Sequence, residues 1–199
     1  MIRRTPSLLH YSAEELIAKA EGARKILDLK PPELYMLLRK NPILMIMDTD
    51  IAKARLNKLH HVTPLDHQSS RHMVIKYPLV LNLETETIEA LMGRLRNLAY
   101  TRAMWQQDFD NITSSLLAFF IRDRHDLLLR LEFLALTGEC PMWCLREVFK
   151  PSNNLFARKN RGYRPWLHMR AVRKQRLLER AKASQRAAGS ENPADDSFR

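Results

Sequence analysis

Leu37-Leu-Arg-Lys-Asn-Pro-Ile-Leu-Met-Ile-Met-Asp-Thr-Asp-Ile-Ala-Lys-Ala-Arg-Leu-Asn-Lys-Leu-His-His-Val62 decides the fold, because its apolar pattern comes back twice at a step of 36 residues. The step carries Leu37 to Met73 and Phe109, Leu44 to Val80 and Leu116, and Met47 to Leu83 and Phe119. Farther along it carries Leu56 to Met92 and Leu128, Leu59 to Leu95 and Leu131, and Val62 to Leu98 and Leu134. Apolar columns kept through three copies at such a period mark stacked helical units rather than one closed core.

Proline punctuates the copies. Leu-Arg-Lys-Asn-Pro42 matches Val-Ile-Lys-Tyr-Pro78, and Val-Phe-Lys-Pro151 begins a fourth unit one residue off register. Proline lacks the amide hydrogen and clashes with the preceding turn, so each of these marks a helix end. Two helical arms per copy follow: Glu33 to Lys40 and Ile51 to His60, then Asp66 to Lys76 and Thr87 to Leu98. Asp48 and Thr49 are suited to cap the second arm, and Ile88, Leu91, Met92, Leu95 and Leu98 give it one buried face. The third copy has Ser114 where proline would stand. Upstream, Ser12-Ala-Glu-Glu15 has capping-box spacing and opens a helix through Leu27, and Leu8 and Leu16 lie one period before Leu44 and Ala52.

Leucine-rich helix, lysine, proline, short apolar run and second helix: this order resembles the mitochondrial transcription termination factor (mTERF) family. Leu37, Leu38, Pro42, Ile43 and Leu44 carry the resemblance, with Met73, Val74, Pro78, Leu79 and Val80. Leu131-Glu-Phe-Leu-Ala-Leu-Thr-Gly138 is similar to that family's unit ending, and the likeness covers residues 30–156. It implies a helical repeat protein of a mitochondrion, or of a chloroplast, that contacts RNA or DNA. Three to four units is short for such an array.

Of 199 residues, 45% are hydrophobic and only five are glycine; no long alternating apolar run suggests a sheet. The fold class expected is therefore all-α: a helical repeat array with a basic helical C-terminal extension. No run of 18 apolar residues exists to span a membrane. The expected divisions are a targeting segment or flexible terminus at 1–12, repeats at 13–156, a basic helical extension at 157–188 and a disordered tail at 189–199.

Candidate chemistry is sparse. Cys140 and Cys144 lie four apart and would share a face if helix continued there, but only the distant His168 could join them at a zinc ion, so buried thiols are the simpler reading. His60, His61, His67 and His72 match no common zinc spacing and read as solvated or capping residues. Asp48 with Asp50, and Asp108 with Asp110, read as helix starts rather than metal carboxylates. Trp105 can stack on a base or pack between helices, and Arg122, Asp123, Arg124 and Asp126 read as a solvated face. No phosphate loop or nucleophile motif is present, so the chain reads as a non-enzyme, with no cofactor and no metal.

Charge supplies the positive signal. Residues 158–186 hold eleven Lys and Arg against Glu179, a local balance of +10 within a chain of net charge +11. Pro165 suits a first helical turn, and Leu167, Val172, Leu177 and Leu178 form a thin apolar stripe. The expected contacts with nucleic acid are Arg158, Lys159, Arg161, Arg164, Arg170, Arg173, Lys174 and Arg176 on phosphates, with Tyr163 or Trp166 stacking. A basic tail on a compact helical body is a design of ribosomal proteins. The leading expectation is thus RNA binding, with ribosomal RNA and ribosomal proteins as partners. The second is a factor acting on double-stranded DNA in transcription termination, and the third an adaptor using the concave face of the repeats.

Overall fold

A computed structural model describes residues 5–189. Among these residues the chain is all-α, with eleven α-helices, short 3-10 turns and no strand. Residues divide into two compact units, 1–151 and 152–199. The expected boundary at 156/157 falls inside a helix, Asn153–Lys159. Of the expected terminal segments, residues 1–4 and 190–199 lie outside the described residues. At the start of the described chain Pro6–His10 is a 3-10 turn with Leu8 buried.

The first unit begins with α1 (Ala13–Leu27), whose capping box is complete: Ser12 Oγ accepts from the Glu15 amide, and Glu15 accepts from the Ser12 amide. There follow α2 (Pro31–Lys40), the 3-10 turn Pro42–Met45 and α3 (Thr49–Val62). The order recurs as α4 (His67–Lys76), the 3-10 turn Pro78–Asn82 and α5 (Thr85–Ala99). A step of 36 residues therefore joins Pro6, Pro42 and Pro78, which open the three 3-10 turns, and Ala13, Thr49 and Thr85, which open the helices after them. Three of the four arms start two residues earlier than the sequence suggested, at Pro31, Thr49 and Thr85, and the fourth starts one residue later, at His67. Pro31 and Pro32 occupy the first turn of α2, where no amide hydrogen is needed.

Both interior prolines stand just past the first arm. Asn41 (φ −134°, ψ 82°) and Tyr77 (φ −131°, ψ 75°) end their helices in nearly the same conformation, that of a residue before proline. Asn41 is wholly buried, and its amide donates to the Pro78 carbonyl (3.0 Å) and to Asn82 Oδ1 (2.9 Å), tying the two proline turns together.

The third stretch differs. After α6 (Ala103–Asp110), Ser114 opens a full helix, α7 (Ser114–Arg122), rather than a 3-10 turn, and α8 (Arg124–Thr137) follows. Serine retains the amide that proline lacks, and Thr113 caps the helix by accepting from the Leu116 amide. An α-helix advances by about 100° per residue and a 3-10 turn by about 120°, so the inward positions slip by one. Leu117 is fully buried, whereas Leu116, the column residue, is half-buried. Farther from the turn the columns hold: Leu59, Leu95 and Leu131 each have no exposed surface, and Leu37, Met73 and Phe109 are at most 2% exposed. α3 packs on α5, and α5 on α6 and α8, while α4 packs on α7. α9 (Leu145–Phe149) closes the unit, and Pro151 lies two residues beyond it.

Arginines seal the helix ends. Arg71 donates to the Leu27 carbonyl (2.9 and 2.6 Å) and the Asp28 carbonyl at the end of α1. Arg102 reaches the carbonyls of Leu134, Glu139 and Cys140 after α8 and lies 4.3 Å over the Trp105 ring. Arg130, 3% exposed, donates to Val148 (3.0 Å), Phe149 (3.5 Å) and Pro151 (2.7 Å) at the end of α9. A cation on the last carbonyls of a helix satisfies acceptors that the helix cannot and meets the negative end of its dipole.

Candidate nucleic-acid interface

The basic segment belongs to the second unit. Ser152 caps α10 (Asn153–Lys159) by accepting from the Leu155 amide, and Asn160 ends it, with backbone amide and side chain both donating to the Phe156 carbonyl (2.9 and 3.0 Å). Arg161 and Gly162 turn the chain into α11 (Tyr163–Gly189). Pro165 sits in the first turn of α11, as its missing amide allows. The expected extension is thus helical but broken at Asn160–Gly162, so Arg158 and Lys159 end one helix and Arg164 begins another.

Aromatic rings order this turn. Phe156 and Tyr163 meet edge to face at 4.8 Å, Tyr163 and Trp166 stack at 6.1 Å with planes 19° apart, and Arg170 covers Trp166 at 5.3 Å. Phe156 and Tyr163 are buried and Trp166 is half-buried. Of the two rings expected to stack on a base, Tyr163 is enclosed by its neighbours and Trp166 alone reaches the surface. Arg164 donates to Asn154 Oδ1 at 3.3 Å, closing the turn from outside.

The cations have a different setting. Arg158, Lys159, Arg161, Arg164, Arg170, Arg173, Lys174 and Arg176 are all exposed. At about 100° per residue, Arg173, Arg176 and Arg180 fall within an arc of roughly 60°, a stripe at i, i+3 and i+7. Arg170 and Lys174 flank it on one side. Glu179, the sole acid of the stretch, lies off the stripe and accepts from Gln175 one turn before it (3.2 Å). Arg180 is absent from the residues expected above, although its spacing from Arg173 and Arg176 marks it. Leu177 and Leu178 are more than half exposed, so the apolar stripe is not a buried face.

The other candidates take structural places. Trp105 is fully buried and donates its indole N–H to the Trp143 carbonyl at 2.7 Å. Cys140 (φ 48°) lies in the loop after α8 and Cys144 is the residue before α9, so no helix gives them a common face. Asp48 caps α3 as expected, but Asp108 and Asp110 lie in the last turn of α6, not at a helix start. Carboxylates are disfavoured at that end by the dipole. Asp108 is stabilised instead by the Leu145 amide, which donates to it at 2.7 Å from the first residue of α9. His60 sets Nδ1 against the Leu65 carbonyl at 3.2 Å, and its ring lies 5.7 and 5.6 Å from those of His61 and His67. Arg122 pairs with Asp123 at 2.8 Å, which pushes its already high pKa further up. No group of three metal-ligating side chains occurs among the described residues. Nor is any helix among them long and apolar enough to cross a membrane.

Comparison with known proteins finds no counterpart: no family model, no curated protein and no solved structure matches the chain.

Proposed function

We propose that this is a nucleic-acid-binding helical repeat protein of an organelle, which binds RNA through its basic extension and works in association with the organellar ribosome. The observation that carries the reading is the charge of α10 and α11. Eight expected phosphate contacts and Arg180 are exposed, with one carboxylate among them turned off the stripe. Closely set cations release condensed counterions on meeting a phosphate backbone, and that gain is independent of base sequence. Residues 158–186 hold eleven Lys and Arg against Glu179, so nearly all of the net charge of +11 falls in α10, α11 and the turn between them.

RNA is preferred over duplex DNA because the extension offers one half-buried ring, Trp166, beside cations, a combination suited to unpaired bases. The 36-residue step of proline turns and helix starts supports the resemblance to the mTERF family, from which the mitochondrial placement comes. A binding role, rather than an enzymatic one, rests on the lack of catalytic motifs in the sequence. Sedimentation of organelle extract separates the readings. The proposal requires the chain to travel with ribosomes and to leave them when RNA is digested; travel with nucleoids would favour a DNA-binding termination factor, and neither would favour an adaptor.

A further inference from the structure

The first unit contains an open cavity of about 640 Å³ between α6, α7 and α9. Its size lies within the range of about 300–1,000 Å³ usual for small-ligand sites. Ile112, Leu116, Phe119 and Phe149 give it apolar walls. Arg146 and Lys150, one helical turn apart and both exposed, stand at its edge. Lys76 reaches Ser115, another wall residue, from the neighbouring α4. The wall also carries hydrogen-bonding groups: Asp108, half-buried, uses Oδ2 for the Leu145 amide and keeps Oδ1, and Asn111, exposed, uses its amide N–H on Gln107 and keeps its oxygen. Thr113 accepts from Leu116 and retains its hydroxyl hydrogen.

We propose that this cavity binds a single unpaired nucleotide whose base carries an exocyclic amino group, with the base against Asp108 and Asn111 and the 5′-phosphate on Arg146 and Lys150. The charge pattern selects this class. A carboxylate on the wall and cations on the rim suit a ligand that is neutral and amino-bearing at one end and anionic at the other. An alkyl acid would set apolar surface against the half-buried Asp108 carboxylate and leave its Oδ1 without a donor, which is costly. An acidic peptide side chain would meet Asp108 as a like charge. The choice of a nucleotide rests on the RNA-binding reading above, but the site is built from residues of the first unit and can fail or stand alone.

Cys144 lines the cavity and reports on its occupancy. In the full chain carrying Cys140→Ser, alkylation of the remaining thiol by iodoacetamide is timed with adenosine, cytidine and uridine 5′-monophosphates, adenosine, inorganic phosphate and a short acidic peptide. Adenosine and cytidine monophosphates should protect Cys144 at concentrations about tenfold below uridine monophosphate, adenosine or phosphate, since each of these lacks one charged or polar contact. Arg146→Gln with Lys150→Gln, at exposed positions that leave folding intact, should raise the protecting concentration by about tenfold or more. Asp108→Asn, which still accepts from Leu145, should erase the preference over uridine monophosphate. Protection by phosphate alone at the same concentration, better protection by the peptide, or none by any nucleotide would each overturn the site. Protection in a chain that binds no RNA keeps the cavity and removes the RNA reading; RNA binding without protection removes only the cavity.

Discussion

Replacing Arg130 by methionine keeps most of the buried aliphatic stem and removes the donors that hold the end of α9. The guanidinium meets Val148 and Pro151 at 3.0 and 2.7 Å and Phe149 at 3.5 Å, with the residue 3% exposed. Hydrogen bonds from a charged donor contribute about 1.5–3 kcal/mol each, and acceptors left buried and unmet cost about 1–3 kcal/mol. Relief from burying the charge offsets part of that loss. The net expectation is about 3–5 kcal/mol of destabilisation. For a chain of this size that lowers Tm by about 6–20 °C. Urea unfolding followed by circular dichroism should show the midpoint fall with an unchanged slope, and Arg130→Lys should lie between, its single ammonium reaching fewer of the carbonyls. A loss below about 1 kcal/mol in Arg130→Met would refute the role given to this side chain.

Leu95→Asp should abolish cooperative unfolding of the first unit, because an unpaired carboxylate at a site with no exposed surface costs several kcal/mol; thermal melting checks this. Gly138, with φ 69°, ends α8 in the left-handed region, so Gly138→Ala should cost about 1 kcal/mol and Gly138→Asn less, as read by denaturant midpoints. Asp66 caps α4 by accepting from the Ser69 amide, and that bond holds its pKa below the ordinary value. A depressed carboxylate adds stability that is present above its unfolded pKa and lost as pH falls through the folded one. Asp66→Asn should therefore flatten the acid limb of a stability–pH profile, and an unchanged limb would assign that loss to other groups.

The columns and prolines were legible because both act locally: apolar spacing sets which helix face turns inward, and proline ends a helix wherever it falls. Pro42 and Pro78 stand where this requires. The Ser114 helix was harder to read, since a missing proline permits either a 3-10 turn or an α-helix and tertiary packing decides. The arginine seals were invisible in sequence because their acceptors lie far along the chain: Arg71 meets a carbonyl 44 residues away. Asp108 misled for the same reason, its partner Leu145 being 37 residues on. In the extension the basic run was plain from composition, whereas Arg180 was missed although helical spacing marks it. The enclosure of Tyr163 depends on Phe156 folding back across a turn that no pattern announces.

The central claim, that the basic helix α11 carries the affinity for RNA, is tested most directly by the salt dependence of binding. The full-length chain and a variant with Arg170, Arg173, Lys174, Arg176 and Arg180 changed to glutamine are titrated against the same unpaired RNA at several salt concentrations. These side chains are exposed, so folding should survive the change. If about six to eight charges meet phosphate, the slope of log affinity against log salt for the parent chain should be about −4 to −6. Removing five contacts should flatten it by about 3 to 4, at about 0.7 per phosphate on a single strand. Equal affinity and equal slope for the two chains would contradict the claim and move the binding surface off these side chains of α11.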